Sequence, residues 1–442
     1  MGHMTLCDEN SIGGISYFLP HHGVLNEQSQ TTKLRVVFNG SASTDTGVSL
    51  NDIQHTGPVI QDDLLDILLR FRQFNVVVCA DIEKMYRMVW VVSEQRCLQK
   101  ILWRRKPDED VQEYTLNTIT YGTRSAAYLT IRCLKQLGLD NLEARPEASN
   151  VILHEFYVDD MLYGESSVTE MIDVCKQVKE ILGGAGFNLR KWISNRPEVI
   201  AGIQGSSSPE ENVIFGEKDS NKTLGLYWSF KKDVLIYYIN FPTNVSKVNK
   251  RSILSDISKI FDPLGLLSPS IVLVKILLQK LCAVKKKDES LPSNLDFYWR
   301  KLRKKFFVLN ECEIERQVIC LDPVEIQIHG FCDASMEAYG ACVYIRSVDK
   351  NGCVKISLNS GKSKVALLKS LTIPRLKLSG ALVLVHLVER IKTCMSVKFD
   401  AIFLWCDSTV VLNWISTSPH LLQTFVSNRV AQIQEKTDVS DW

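Results

Sequence analysis

No run of apolar residues in the 442-residue chain is long enough to cross a bilayer. The longest uncharged stretch, Pro263 to Val274, holds two prolines and is closed by Asp262 and Lys275, whereas a membrane helix needs about 20 apolar residues. The N-terminus lacks a basic patch followed by an apolar segment, so no secretory signal is expected. Repeats, low-complexity tracts and a dominant residue type are also missing, which excludes collagenous, coiled-coil and disordered classes. The 13 cysteines are scattered among apolar segments, and none is spaced from another as zinc ligands are. They predict free thiols in a reducing, intracellular environment and no zinc site. His21 and His22 have no further His or Cys at ligand spacing, so a structural role is expected for both. The net charge of +2 neither demands nor excludes a polyanionic partner.

What is present is a soluble-type composition, 45% hydrophobic and 23% charged, over a length that suits more than one domain. Phe74 to Ala80 is a β-branched run suited to a buried strand that ends at Asp81. Ser125 to Leu137 and Val168 to Leu182 have helical spacing, and Val151 to Tyr163 predicts a hairpin around Asp159 and Asp160. Further on, strands are expected over Glu325 to Phe331, Tyr339 to Arg346 and Ala401 to Cys406, with a helix from about Pro374 to Lys392. The expected joints are Ser194 to Asn221 and the basic region around Lys285 to Lys305. Strands mixed with helices in both halves imply an α+β or α/β organisation.

Tyr157-Val158-Asp159-Asp160 is the sharpest chemical feature. Adjacent carboxylates between apolar strands repel each other and are expensive to desolvate unless positive charge accompanies them. Asp81, at the end of a neighbouring strand, is positioned to complete an all-oxygen site of the kind that suits Mg²⁺. Two such ions clamp the attacking and leaving oxygens of an in-line phosphoryl transfer. An isolated Asp-Asp pair is ordinarily a solvated turn; the flanking Tyr157 and the strand ending at Asp81 favour the metal site here.

These residues resemble the palm of reverse transcriptases. Tyr157 to Asp160 looks like its metal-binding turn, and Asp81-Ile82-Glu83-Lys84-Met85-Tyr86 looks like the motif that precedes it. The resemblance is closest to the polyprotein of BEL/Pao-type LTR retrotransposons. It is carried also by Leu19 to His22, Lys33 to Phe38, Ser49 to Asp52, Tyr121 to Ala126, Leu189 to Trp192, Ser258 to Gly265 and Ile373 to Leu376. The resemblance implies an α+β chain with reverse-transcriptase fingers and palm over 1–200, a thumb/connection region over 201–320 and an RNase H-like α/β domain over 321–442. It implies an RNA-directed DNA polymerase in which Asp81, Asp159 and Asp160 hold two Mg²⁺ ions, with Mn²⁺ as a substitute. Arg35 would pair with the triphosphate of the incoming dNTP, and Tyr86 would exclude a 2′-hydroxyl. Tyr121 and Gly122 would line the nucleotide and templating base, and Lys191 would lie near the pyrophosphate. The implied partners are an RNA or DNA template–primer duplex and dNTPs, with no membrane. The implied location is cytoplasmic, in virus-like particles with access to the nucleus. Asn39, where the family usually has Asp, and Ala127, where it has Pro, depart from the pattern without touching the metal residues.

Asp333 and Asp407, each at the end of an expected strand, suggest an RNase H-like fold, which uses acidic side chains around two metals. The family supplies a glutamate directly after Ile373 to Leu376; here that position is Lys377. A cation there would replace one metal electrostatically and repel the other. The family's last aspartate lies beyond Trp442, so the expectation is a folded RNase H-like domain with little or no nuclease activity. The segment before Tyr17 is expected to be short for a complete polymerase, and neither integrase nor Gag regions are recognised, so the chain is expected to be a piece of a retroelement. The alternative is a catalytically dead remnant that only binds nucleic acid.

Asp45-Thr46-Gly47 spells an aspartic-protease signature, but Ser41 to Thr44 before it is not an apolar strand, so a surface turn is expected. A peptidase family label, common for Pao elements, is expected to be name only. Lys285 to Lys287 and Arg300 to Lys305 would track a duplex backbone without sequence preference, or form a solvated helix face. Trp299, Phe306 and Phe307 beside them are expected to anchor a core.

Overall fold

The computed structural model describes residues 2–7, 15–25, 33–205, 221–223, 226–242, 248–281, 291–367 and 371–442. Lys285 to Lys287 lie outside the described residues. The chain forms two compact units. One comprises 1–62, 79–161 and 172–192; the other comprises 63–78, 162–171 and 193–442.

In the first unit, the hairpin His21–Leu25 and Leu34–Phe38 pairs Val24 with Arg35. A small core of Tyr17, Leu19, Phe38, Leu50, Ile101 and Leu116 lies beneath it. His21 is structural, as expected: its ring lies 5.8 Å from Phe38 and 6.1 Å from Trp103. A four-stranded sheet runs in the order Phe156–Tyr157, Asp160–Glu165, Val76–Ile82, Leu189–Ser194. Val76–Ile82 is buried on both faces apart from Asp81, which explains its unbroken apolar run. Helices Ala126–Asp140 and Val168–Gly184 stand where the spacing placed them. Val151 to His154, expected as strand, is the end of helix Pro146–His154. Pro146 pre-sets the first helical turn, and Ala148, Val151 and Ile152 are buried at helical spacing. The hairpin strand starts only at Phe156.

Asp45 is exposed, and the Gly47 N–H donates to Thr44 O at 2.9 Å. The Asp-Thr-Gly triplet is the expected surface turn.

In the second unit, a helical cluster buries Trp299, Leu302 and Phe306 of helix Ser293–Phe306 with Val274, Leu277 and Leu281 of helix Ser268–Leu281. The described part of the expected basic joint is therefore a packed helix. Phe307 differs from expectation: it follows the helix end, is 40% exposed, and meets Phe241 edge-on at 5.7 Å. Arg300 is committed to Asp296, and Arg303 to Asp256 and Pro242 O. Lys301, Lys304 and Lys305 are exposed. Asp262 is half-buried and structural: it accepts from the Tyr237 hydroxyl and from the N–H groups of Leu266 and Leu267.

A second four-stranded sheet has the order Val354–Val365, Ala338–Asp349, Pro323–Ala334, Ala401–Cys406. Its first three strands are antiparallel neighbours and the last is parallel. Along Pro323–Ala334, Ile326, Ile328, Gly330 and Cys332 face inward, toward helix Ile373–Cys394. Val354–Val365 was not expected, because its Ser, Lys and Gly content gives no clean alternation.

A buried guanidinium ties this sheet to its neighbours. Arg72, 1% exposed, donates to Arg316 O and Glu315 O at 3.0 Å, to Leu358 O at 2.9 Å, and to Asn359 O. Burial lowers its pKa to about 9, which leaves it charged at neutral pH. Arg316 beside it is held bidentately by Asp233 at 2.6 and 2.7 Å.

Candidate active sites

The first site grows from the turn between Phe156–Tyr157 and Asp160–Glu165. Tyr157 pairs with Asp160, so Val158 and Asp159 alone form the loop. A two-residue hairpin matches strand twist with a positive φ at its first position, and Val158 adopts φ 59°. For a β-branched residue that strain is of the order of 1–3 kcal/mol. The Val158 N–H is held by Gln61 Oε1 at 3.1 Å, a partner not singled out from the sequence.

The turn is fastened to the Asp81 strand by the Ile82 N–H, which donates to Asp159 O at 2.9 Å. Asp81, Asp159 and Asp160 are thereby brought into one electrostatic neighbourhood. Burial, then the charges of Asp159 and Asp81, push the Asp160 carboxyl up to about 7. Asp159 is raised by burial and by Asp81, against Lys191 and Arg35. Burial and the Asp159 charge raise the half-buried Tyr86 phenol.

Lys191, expected near the pyrophosphate, pairs with the first of these carboxylates. It sits at φ 54° in strand Leu189–Ser194, and its Nζ lies 2.7 Å from Asp81 Oδ2. Arg190 pairs with Glu83 at 2.8 Å beside it. Among the described residues, no group of three or more His, Cys, Asp or Glu side chains is set to hold a metal ion. The donor set nonetheless fits a hard divalent cation: three carboxylates, two of them shifted toward protonation by burial and then by the charge of neighbouring carboxylates. Lys191 partly supplies the missing positive charge.

In EDTA the burial of Asp160 beside two other carboxylates makes stability depend on pH. The native Asp160 carboxyl holds a proton up to about pH 7, whereas an ordinary one loses it near 3.8. Native protein thus binds more protons between these values, and its stability falls as pH rises through that window. Urea midpoints at pH 5 and pH 8 are expected to show this fall, with a smaller slope in Asp160→Asn. An equal slope in both proteins would contradict the assignment.

Around the turn, Arg35 is exposed on its hairpin, where its charge acts on Asp159. Tyr121 packs edge-on against Phe38 at 5.4 Å and Tyr86 at 6.4 Å. Gly122 has φ 94°, and a Cβ there would meet Phe38 O at 2.2 Å, so only glycine fits. Asn51 clamps the same loop, donating to Gly122 O at 3.1 Å and accepting from the Arg124 N–H at 2.7 Å.

The second site lies in the other unit. Cys332 and Cys406 are partners in the parallel pair, which sets Asp333 and Asp407 side by side at the strand ends. Helix Ile373–Cys394 crosses above them at Gly380, where a Cβ would meet Asp333 O at 3.2 Å. One turn earlier, Lys377 Nζ donates to Asp407 Oδ1 and Oδ2 at 2.5 and 2.6 Å and pairs with Asp333 Oδ1 at 3.2 Å. The hydrogen bonds it donates to Asp407 and Asp333, with the charges of those two carboxylates, raise the Lys377 pKa. A divalent cation does not fit between these carboxylates, because an ammonium already bridges them.

Comparisons with known proteins bear on the second site and on the fold. Residues 249–408 match the family model described as a Pao retrotransposon-like RNaseH-like domain; that description names no peptidase. The match begins before 321 and includes the three helices that precede the second sheet. No curated protein matches the chain. Among solved structures, a foamy viral protease-reverse transcriptase dRH in complex with double-stranded DNA is similar, with TM-score 0.58 and 15% identity, over 98% of this chain and 65% of that one. The foamy viral protease-reverse transcriptase in complex with RNA/DNA hybrid matches with TM-score 0.58 and 14% identity, over 99% and 50% of the two chains. The enzyme's complex with dsDNA matches with TM-score 0.52 and 15% identity, over 99% and 78%. The chain thus spans about two thirds and one half of the first two structures it matches. At these identities the likeness is one of fold, and it bears out the α+β class with an RNase H-like region. No helix among the described residues is long and apolar enough to cross a membrane. Residues 249–408 are thus similar to a Pao retrotransposon-like RNaseH-like domain, within a chain that shares the fold of the foamy viral enzymes.

Proposed function

We propose that the chain is an RNA-directed DNA polymerase whose catalytic carboxylates are Asp81, Asp159 and Asp160, with an RNase H-like domain that does not cut RNA. One observation carries the reading: the strained Val158–Asp159 turn is tied to the Asp81 strand at Ile82, which gathers three mutually repelling carboxylates. These residues would hold two Mg²⁺ ions, which supply charge neutralisation at the attacking and leaving oxygens of nucleotidyl transfer. The chain's own groups bind and orient. Arg35 offers a planar guanidinium to the triphosphate. Tyr86 lies under the sugar and excludes a 2′-hydroxyl, while Tyr121 and Gly122 form the wall of the nucleotide pocket. Lys191, paired with Asp81, would lie near the pyrophosphate. Lys301, Lys304 and Lys305 track the template–primer backbone through sequence-independent, salt-sensitive contacts.

A second reading, a remnant that grips nucleic acid without copying it, is favoured by the Lys377 bridge. That observation bears on the RNase H-like site alone and leaves the first carboxylate set intact. The test is extension of a DNA primer on an RNA template with dNTPs and Mg²⁺. Extension by the parent that is lost in Asp159→Asn/Asp160→Asn supports the polymerase; folded, duplex-bound protein that never extends supports the remnant.

A further inference from the structure

Arg87 follows Tyr86 in the short 3-10 turn Met85–Met88, and its N–H donates to Lys84 O at 2.7 Å. Its guanidinium carbon lies 5.3 Å from the centroid of Phe38 and 5.2 Å from that of Tyr121. Those two rings are themselves in edge contact, and Tyr121 also meets Tyr86. One guanidinium therefore joins the end of the Arg35 hairpin, where Phe38 sits, to the Tyr121–Gly122 loop and the Tyr86 turn. Among the described residues no carboxylate pairs with Arg87, so its charge is directed to π faces rather than to an anion. Planar, weakly hydrated guanidinium suits contact with two rings at once, which a tetrahedral ammonium does not.

We infer that Arg87 is a positioning residue of the nucleotide pocket, holding Phe38 and Tyr121 in place so that the wall beside Tyr86 is formed before the nucleotide arrives. The inference rests on the polymerase reading and adds to it what fixes nucleotide affinity. A preformed wall spares the incoming nucleotide the ordering of these side chains. Loss of Arg87 then weakens nucleotide binding while leaving the reacting groups in place.

The test measures two quantities in parent, Arg87→Ala and Arg87→Lys on an RNA template with a DNA primer. One is single-dNTP incorporation at varied dNTP. The other is dNTP-dependent stabilisation of the protein–duplex complex with a chain-terminated primer. Arg87→Ala is expected to raise the half-saturating dNTP about tenfold in both assays, equivalent to about 1.4 kcal/mol, with kcat within about twofold and duplex affinity unchanged. Arg87→Lys, which keeps the charge without the plane, recovers only part of this. It also decides the question if Arg87→Ala does not fold. A half-saturating dNTP equal to the parent's, or full rescue by Lys, overturns the positioning role while the polymerase stands. A merely structural role would lower kcat, duplex affinity and melting temperature together, and also overturns it. A folded parent that shows no response to dNTP in either assay overturns both the polymerase reading and this one.

Discussion

Replacing Lys377 by Glu is expected to turn a site that ignores divalent cations into one that binds them. In the parent, the Lys377 ammonium, with its side chain 15% exposed, bridges Asp333 and Asp407. Both carboxylates are largely exposed, so each pair contributes only about 0.2–1 kcal/mol. Lys377→Glu exchanges these attractions for repulsion among three carboxylates, a change of about 1–3 kcal/mol against the fold in EDTA. Mn²⁺ relieves that repulsion. Thermal melts should show the variant below the parent in EDTA and recovering with millimolar Mn²⁺, and calorimetry should show Mn²⁺ heat that exceeds the parent's. Equal Mn²⁺ binding at this site in parent and variant would contradict the bridge as the reason for metal exclusion.

The largest expected loss of stability follows Arg72→Met. The side chain is fully enclosed and spends its donors on carbonyls contributed by Glu315, Arg316, Leu358 and Asn359. Methionine matches its length without a donor, leaving several buried acceptors without partners. Each such acceptor costs about 1–3 kcal/mol, partly relieved by relaxation. A net destabilisation of about 3–5 kcal/mol is expected. The guanidinium holds segments more than 240 residues apart in sequence, so the second unit should unfold early as a whole. Urea denaturation followed by Trp fluorescence checks this, and a loss below about 1 kcal/mol would show that the carbonyls find other donors.

How much of this was legible in the sequence depends on how local the cause is. Ala401–Cys406, followed by Asp407, is an apolar run closed by a charge, and its bounds were visible. The helices Ala126–Asp140 and Val168–Gly184 were legible through their spacing. Val151 to Leu153 misled, because a short apolar run is equally a buried helix end or a strand, and Pro146 was the overlooked signal. The identities of Asp81, Asp159 and Asp160 followed from motif and resemblance. Their gathering by the Ile82–Asp159 bond could not be seen, since it joins segments far apart in the chain. The same holds for Gln61 under Val158, Asn51 under Gly122 and Lys191 on Asp81. Lys191 is instructive: a place near the pyrophosphate was expected for it from resemblance, and its ion pair with Asp81 was not visible in the sequence. Lys377 was the opposite case, where one misplaced charge in a motif foretold its own structural role.

The account's central claim is that the Asp81, Asp159 and Asp160 cluster copies RNA into DNA. The most direct measurement is primer extension on an RNA template with dNTPs and Mg²⁺, run beside Asp159→Asn/Asp160→Asn at equal duplex binding. The account predicts extension by the parent and a loss of at least about a thousandfold in the variant, equivalent to about 4 kcal/mol of transition-state stabilisation. A folded parent that binds the duplex and does not lengthen the primer, or a variant that extends as well as the parent, would contradict it.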